Sequence, residues 1–293
     1  MAERSAAQNL IPIIIAVIVG AAIAWAGSDG GVRYGAIPVF ALCGALAFAI
    51  NWLAFIPAAI TQTEHYYDLT GGISYVTVTI AAVLLSGQLD LRATLVAGMV
   101  LIWSIRLASF LVIRISMAGK DSRFDEIKTR PLQFLLAWTL QGLWVLLTAA
   151  AALAVITGGN SKPLGIVGGV GIAIWLAGIL IEIVADQQKS RFKQDPANKG
   201  IFISIGLWAW SRHPNDVGEI VLWVGMAIIA IPVLQGWQWA TLISPVFVYL
   251  LLTKVSGVPM LEDKADERWG GQEDYEDYKR RTPVLVMKPP SAG

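Results

Sequence analysis

Apolar positions in this chain come in long unbroken runs rather than in alternation. Runs of this kind cover about residues 10 to 27, 36 to 60, 70 to 87, 93 to 117, 131 to 157, 164 to 186, 217 to 233 and 237 to 253. A helix needs about 20 mostly apolar residues to cross roughly 30 Å of hydrocarbon, so each run is long enough to span a bilayer. Barrel strands would instead alternate apolar and polar residues over about ten positions, and no such alternation is present. The pattern predicts an all-α, polytopic integral membrane helix bundle of about seven or eight spans. The choice between seven and eight rests on the last two runs, because Pro232, Gly236 and Pro245 are placed to break one of them into a re-entrant piece. The first two spans, 1 to 60, form an N-terminal pair, and 61 to 293 form a second region that carries the polar segments.

Composition agrees with a lipid environment. Of 293 residues, 56% are hydrophobic and 15% charged, and the mean hydropathy is +0.61, more apolar than a soluble domain of this length can bury. The net charge of +1 excludes little, but its distribution is informative. With eight spans, one side receives Arg4, Lys120, Arg123, Lys128, Arg130, Lys189, Arg191, Lys193, Lys199, Arg212 and seven more bases from Lys254 to Lys288; the other receives Arg33, Arg92 and Lys162. The positive-inside rule makes the rich side cytoplasmic, with both termini on it. The long polar segments, 115 to 131, 187 to 216 and the tail from 254, fall on that side, where a soluble cofactor would be met. The tail sequence LEDKADERWGGQEDYEDYKRR predicts a short amphipathic helix and a turn at Gly270-Gly271, lying against the membrane face.

Two kinds of site are not expected. The one cysteine, Cys43, lies in the second apolar run, so there is neither a disulfide framework nor a cysteine metal site, and no metal is expected. Gly169-Val170-Gly171 opens like a dinucleotide fingerprint, but Ile174 stands where its third glycine should be and no strand precedes it. These glycines instead suit close helix approach.

Ionisable residues in or beside spans are costly and become the candidates for chemistry. Arg106 shares a helix face with Trp103 and Phe110. Glu182 and Asp186, four apart, share another, followed by Lys189, Arg191 and Lys193. The densest constellation is GLWAWSRHPNDVGE over 206 to 219. Pro214 suits a first helical turn, and Asn215 and Glu219, four apart, place an amide beside a carboxylate, the pair a carboxamide needs. Arg212 and His213 suit phosphate or carboxylate. A third cluster, Thr63-Glu64-His65-Tyr66-Tyr67-Asp68, holds the inventory of a general acid.

The segment GLWAWSRHPNDVGEIVLWVG, with IEIVADQQKSRFK upstream and TKVSGVPMLEDKADERWG and YKRRTPVL downstream, resembles the signature of the steroid 5-alpha reductase C-terminal-domain superfamily, over roughly residues 60 to 285. Bacterial members look most similar, which implies a bacterial inner membrane; sterol reductases and isoprenylcysteine carboxyl methyltransferases are more distant. The resemblance implies NADPH as cofactor, with Asn215 and Glu219 on the nicotinamide and Asp186, Arg191 and Lys193 on the adenosine and phosphate portions. Lys254 and Tyr278 match in the tail. The acid would fall at Glu64 or Asp68, with Arg106 on the following helix. Two departures stand out: Trp103 replaces the tyrosine expected of the steroid enzymes, leaving Tyr66 or Tyr67 as alternative donors, and Asp216 replaces the aromatic that usually follows the asparagine.

The expectation is an NADPH-dependent reductase of a carbon-carbon double bond in a lipophilic small molecule, with membrane lipids around it and no nucleic acid partner. A methyltransferase using S-adenosylmethionine is the alternative, and a non-catalytic lipid-binding or transport protein is a third reading.

Overall fold

The computed structural model describes residues 6–118 and 124–290, so Arg4, Lys120 and Arg123 of the basic tally lie outside the described residues. Among the described residues eight helical stretches are long and apolar enough to cross a membrane, the higher of the two counts expected. The helices are α1 (Ala6–Gly27), α2 (Val39–Thr61), α3 (Tyr67–Ser86), α4 (Leu91–Ala118), α5 (Pro131–Thr157), α6 (Gly165–Gln194), α7 (Pro214–Ala230), α8 (Ile243–Leu250), α9 (Val258–Trp269) and α10 (Glu273–Arg281). Between α1 and α2 a two-residue antiparallel ladder, β1 (Arg33–Tyr34) with β2 (Ile37–Pro38), closes a tight hairpin. The protein is thus a polytopic helical membrane protein.

The chain divides into two compact units, 1–165 with 230–244, and 166–229 with 245–293. In the first, α5 is the central helix, and 89% of its span is buried. It is apolar on every side, as a helix surrounded by other helices must be. It packs against α1, α2, α3 and α4. The run TAAAALAV over 148–155 offers only small or medium side chains, so the neighbouring backbones come close. At Gly142 a Cβ would stand 3.0 Å from Phe48 Cα, a position where only hydrogen fits comfortably.

Arg92, one of the three bases assigned to the outer side, is also a structural tie: it is 2% exposed and donates to the carbonyls of Pro163 at 2.7 Å and Leu164 at 3.1 Å. It ties the start of α4 to the end of the α5–α6 connection.

The second unit is organised by a glycine crossing. Gly171 and Gly178 on α6 lie seven apart, as do Gly218 and Gly225 on α7. A Cβ at Gly178 would meet Leu222 N at 2.4 Å and Gly218 O at 2.7 Å, and one at Gly171 would meet Gly225 O at 2.8 Å. Small residues at this spacing return to the same face every two turns and let two helix backbones touch. Gly169 has nothing within 4 Å and takes no part. α6 also outlasts its apolar run, so Lys189, Arg191 and Lys193 ride on its last turns rather than in a loop.

The break expected near residues 232 to 245 is present without ending the span. Gly236, at φ +50°, starts a tight helical stretch Gly236–Leu242 that passes into α8 and then a wide turn Leu251–Val255. A Cβ at Gly236 would overlap Asp29 Oδ2, which accepts from the Trp237 amide at 2.8 Å. The tail forms two helices, α9 and α10, separated at Gly270-Gly271 with Gly271 at φ +81°.

Candidate functional site

A cavity of about 340 Å³ lies wholly within the second unit. Its walls come from three elements whose sequences select what faces inward. The end of α6 contributes Lys189, Phe192 and Lys193, spaced i, i+3 and i+4 and so on one face. The connection between α6 and α7 contributes Phe202, Trp208, Arg212 and His213. The tail contributes Glu262, Lys264, Arg268 and Trp269 from α9, and Tyr275 and Tyr278 from α10.

One carboxylate organises the floor. Glu262 Oε1 stands 2.6 Å from His213 Nε2 and its Oε2 stands 2.7 Å from Arg212 Nη1. The other His213 nitrogen, Nδ1, is 3.8 Å from Asp216 Oδ2. Both bases are largely covered, with side-chain exposures of 13% for Arg212 and 6% for His213, so water competes weakly for them.

The tail is strapped down by backbone bonds as well. The amides of Arg212 and His213 donate to the carbonyls of Pro283 at 2.8 Å and Val284 at 3.2 Å, and the Lys288 amide donates to Trp210 O at 3.0 Å. Trp269 Nε1 donates to Gly200 O at 2.6 Å, and the Tyr278 hydroxyl donates to Trp208 O at 2.7 Å. Phe202 sits amid Trp269, Tyr275 and Tyr278 with ring centroids 5.2 to 6.0 Å away. Burial pushes the phenols of Tyr275 and Tyr278 above the ordinary tyrosine value, and the hydrogen bond that Tyr275 gives Asp266 adds to the shift.

Four of the predicted cofactor residues, Lys193, Arg212, His213 and Tyr278, meet at this cavity. Asp186, Arg191, Asn215, Glu219 and Lys254 belong to the same unit but do not line it. Asp186 is buried on α6, Arg191 and Lys254 are exposed, and Glu219 is half-buried one turn into α7. Asn215 Nδ2 donates to Asp216 Oδ1 at 3.2 Å, which fixes the amide at the start of α7. Asp216, noted in the sequence only as a departure, is a buried partner of this network. Glu262, Lys264, Arg268 and Trp269 went unread as site residues, since their tail shows only mixed charge. The signal that marks them is the α9 period.

The cluster at 63–68 lies in the first unit. Glu64 is 4% exposed and pairs with Lys128 Nζ at 3.0 Å. That hydrogen bond, chiefly, raises the Lys128 ammonium above its ordinary value. The Tyr67 hydroxyl is committed to the Ala137 carbonyl at 3.0 Å and its ring to Trp138 and Phe124. Asp68 is half-buried in the first turn of α3, while Tyr66 is 53% exposed. Trp103 on α4 is buried, edge-on to Tyr75 with centroids 5.0 Å apart, and Arg106 is half-buried one turn on. Among the described residues no group of three or more histidine, cysteine or acidic side chains is arranged to hold a metal ion.

Eight spans with a polar, aromatic-walled cavity in the unit that carries the tail define a helical integral membrane protein with a candidate ligand site. Residues 54–282 match the family described as protein of unknown function, DUF1295, and the chain belongs to that family. No curated protein and no solved structure matches the chain.

Proposed function

We propose that this protein is an NADPH-dependent membrane reductase that saturates a conjugated carbon-carbon double bond in a lipophilic substrate. The observation that carries the reading is the cavity of the second unit, where cationic and aromatic side chains come together around a flat-walled space. That donor set fits the phosphates and rings of a nucleotide. The resemblance of the surrounding motifs to the steroid 5-alpha reductase C-terminal-domain superfamily adds the reaction type.

In this reading Lys193 and its neighbours bind the phosphate-bearing end, while Asn215 and Glu219 hold a carboxamide through one donor and one acceptor. When bound, NADPH supplies a hydride. The resemblance puts proton donation in the cluster at 63–68, at Glu64 or Asp68. A bacterial inner membrane, with both termini in the cytoplasm, is part of the same proposal.

Titrating purified protein with NADPH, NADH and S-adenosylmethionine tests the reading. NADPH should bind most tightly, and Glu219→Gln or Asn215→Ala should weaken it about ten- to a hundredfold, the worth of one charged hydrogen bond of about 1.5 to 3 kcal/mol. Glu64→Gln or Asp68→Asn should leave that affinity nearly intact and slow turnover by about 10²- to 10⁴-fold. Preferential binding of S-adenosylmethionine would favour a methyltransferase, and binding of none of the three would refute the reading.

A further inference from the structure

The basic pair highlighted by the sequence, Arg212 and His213, faces a carboxylate that the fold supplies, with the Glu262 oxygens 2.6 and 2.7 Å away. Further positive charge lies elsewhere on the cavity lining.

The α9 face supplies it. Of the twelve residues VPMLEDKADERW, the cavity is lined by Leu261, Glu262, Lys264, Ala265, Arg268 and Trp269. This is a helical stripe that takes in both bases of α9 and only the acid that Arg212 and His213 neutralise. The other three acids, Asp263, Asp266 and Glu267, do not line it, and Asp266 is bound instead to Lys279 Nζ and the Tyr275 hydroxyl. Across the cavity α6 adds Lys193 and Lys189, the latter 4.3 Å above the Trp208 ring. A chain with 22 bases and 21 acids has thus sorted its charges so that this lining is cationic. Beside the bases stands the aromatic wall of Phe202, Trp269 and Tyr275. The volume of about 340 Å³ falls at the lower end of the small-ligand range of roughly 300 to 1,000 Å³.

We propose that this cavity seats a phosphate-bearing ligand with a flat ring, and that Lys264 and Arg268 on α9 take its phosphate. Arg212, His213 and Glu262 act as the brace that holds α9 in place to present those bases. The inference rests on the nucleotide reading above for the identity of the ligand, but its residue assignment stands on the α9 face alone.

The test uses the full chain in nanodiscs of zwitterionic phosphatidylcholine, with NADPH and inorganic pyrophosphate as probes. Lys264→Gln combined with Arg268→Gln keeps the long polar stems and removes the charge. It should weaken NADPH binding about ten- to a hundredfold and abolish competition by pyrophosphate. Asp263→Asn with Glu267→Gln, outside the lining, should weaken neither. Because both bases are exposed, thermal unfolding should match the unaltered protein and exclude misfolding as the cause. NADPH affinity unchanged in the Lys264 and Arg268 variant would overturn the assignment. Pyrophosphate binding that depends on these two bases, with no nucleotide binding at all, would uphold the phosphate seat while refuting the reductase. Binding of neither probe would overturn both. Displacement of pyrophosphate by phosphatidic acid added to the nanodisc would assign the seat to a lipid headgroup and overturn the soluble ligand.

Discussion

Replacing Glu262 by alanine should release α9 locally without unfolding the membrane spans. The change deletes a charge-assisted hydrogen bond to His213 at 2.6 Å and an ion pair with Arg212 at 2.7 Å. Such bonds are worth about 1.5 to 3 kcal/mol each, but they share one carboxylate and so do not add fully. Glu262 is 21% exposed, so water replaces part of what is lost. A net cost of about 2 to 4 kcal/mol follows, near the low end of the roughly 3 to 5 kcal/mol seen when one partner of a buried pair is removed. The remaining ties of the tail, among them Trp269 to Gly200 and the 283–284 strap, do not pass through Glu262. The effect should therefore appear as local opening of 258–269, with amide exchange there about 30- to 1,000-fold faster and the α5 amides unchanged. Arg212→Ala in the Glu262→Ala background should add little, because the pair is already broken. Unaltered exchange in α9, or full additivity of the two substitutions, would refute Glu262 as the brace.

Three other outcomes follow from the geometry. Gly178→Leu should prevent the second unit from assembling, seen as loss of monodisperse protein on size exclusion, because its Cβ would stand 2.4 Å from the Leu222 nitrogen; Gly169→Leu, with nothing within 4 Å, should be tolerated. The tail should be sensitive to alkali. With the Tyr275 and Tyr278 values raised, the stability they contribute is complete below the unfolded tyrosine value of about 10 and is lost as pH rises through their folded values. Replacing both by phenylalanine should remove tyrosinate absorbance only from the late part of a pH titration. Finally, a cysteine placed at Lys199 should react with impermeant reagent from the cytoplasmic face alone, and labelling from the opposite face would reverse the topology.

The sequence names candidates from local signal where it can: Arg212 and His213 stand in WSRHPND, and both line the cavity, while Lys193 enters through resemblance. Tyr278 enters through resemblance, and the cavity brings it to the same wall. Glu262 is different, because it lies forty-nine positions after His213 in a segment whose four acids look alike in sequence. Only the docking of α9 selects one of them. Arg92 shows the same limit, since as a sequence feature it counts as an outer charge, whereas its carbonyl partners lie more than seventy residues away.

What the sequence determined by itself is the helical, membrane-spanning character of the chain and the approximate position of each span. The physical reason is that hydrocarbon leaves a backbone no partner but its own helix, so length and apolarity suffice. Gly169 and Gly171 both suit close helix approach in sequence, but only Gly171 meets another helix, for that depends on the phase of one helix against another. The tertiary structure decided the pairings of charge: Glu64 with Lys128, Glu262 with Arg212 and His213, and the cationic face of α9 turned to the cavity. Charge interactions act across space and are indifferent to sequence distance, so only the fold chooses among chemically equal partners.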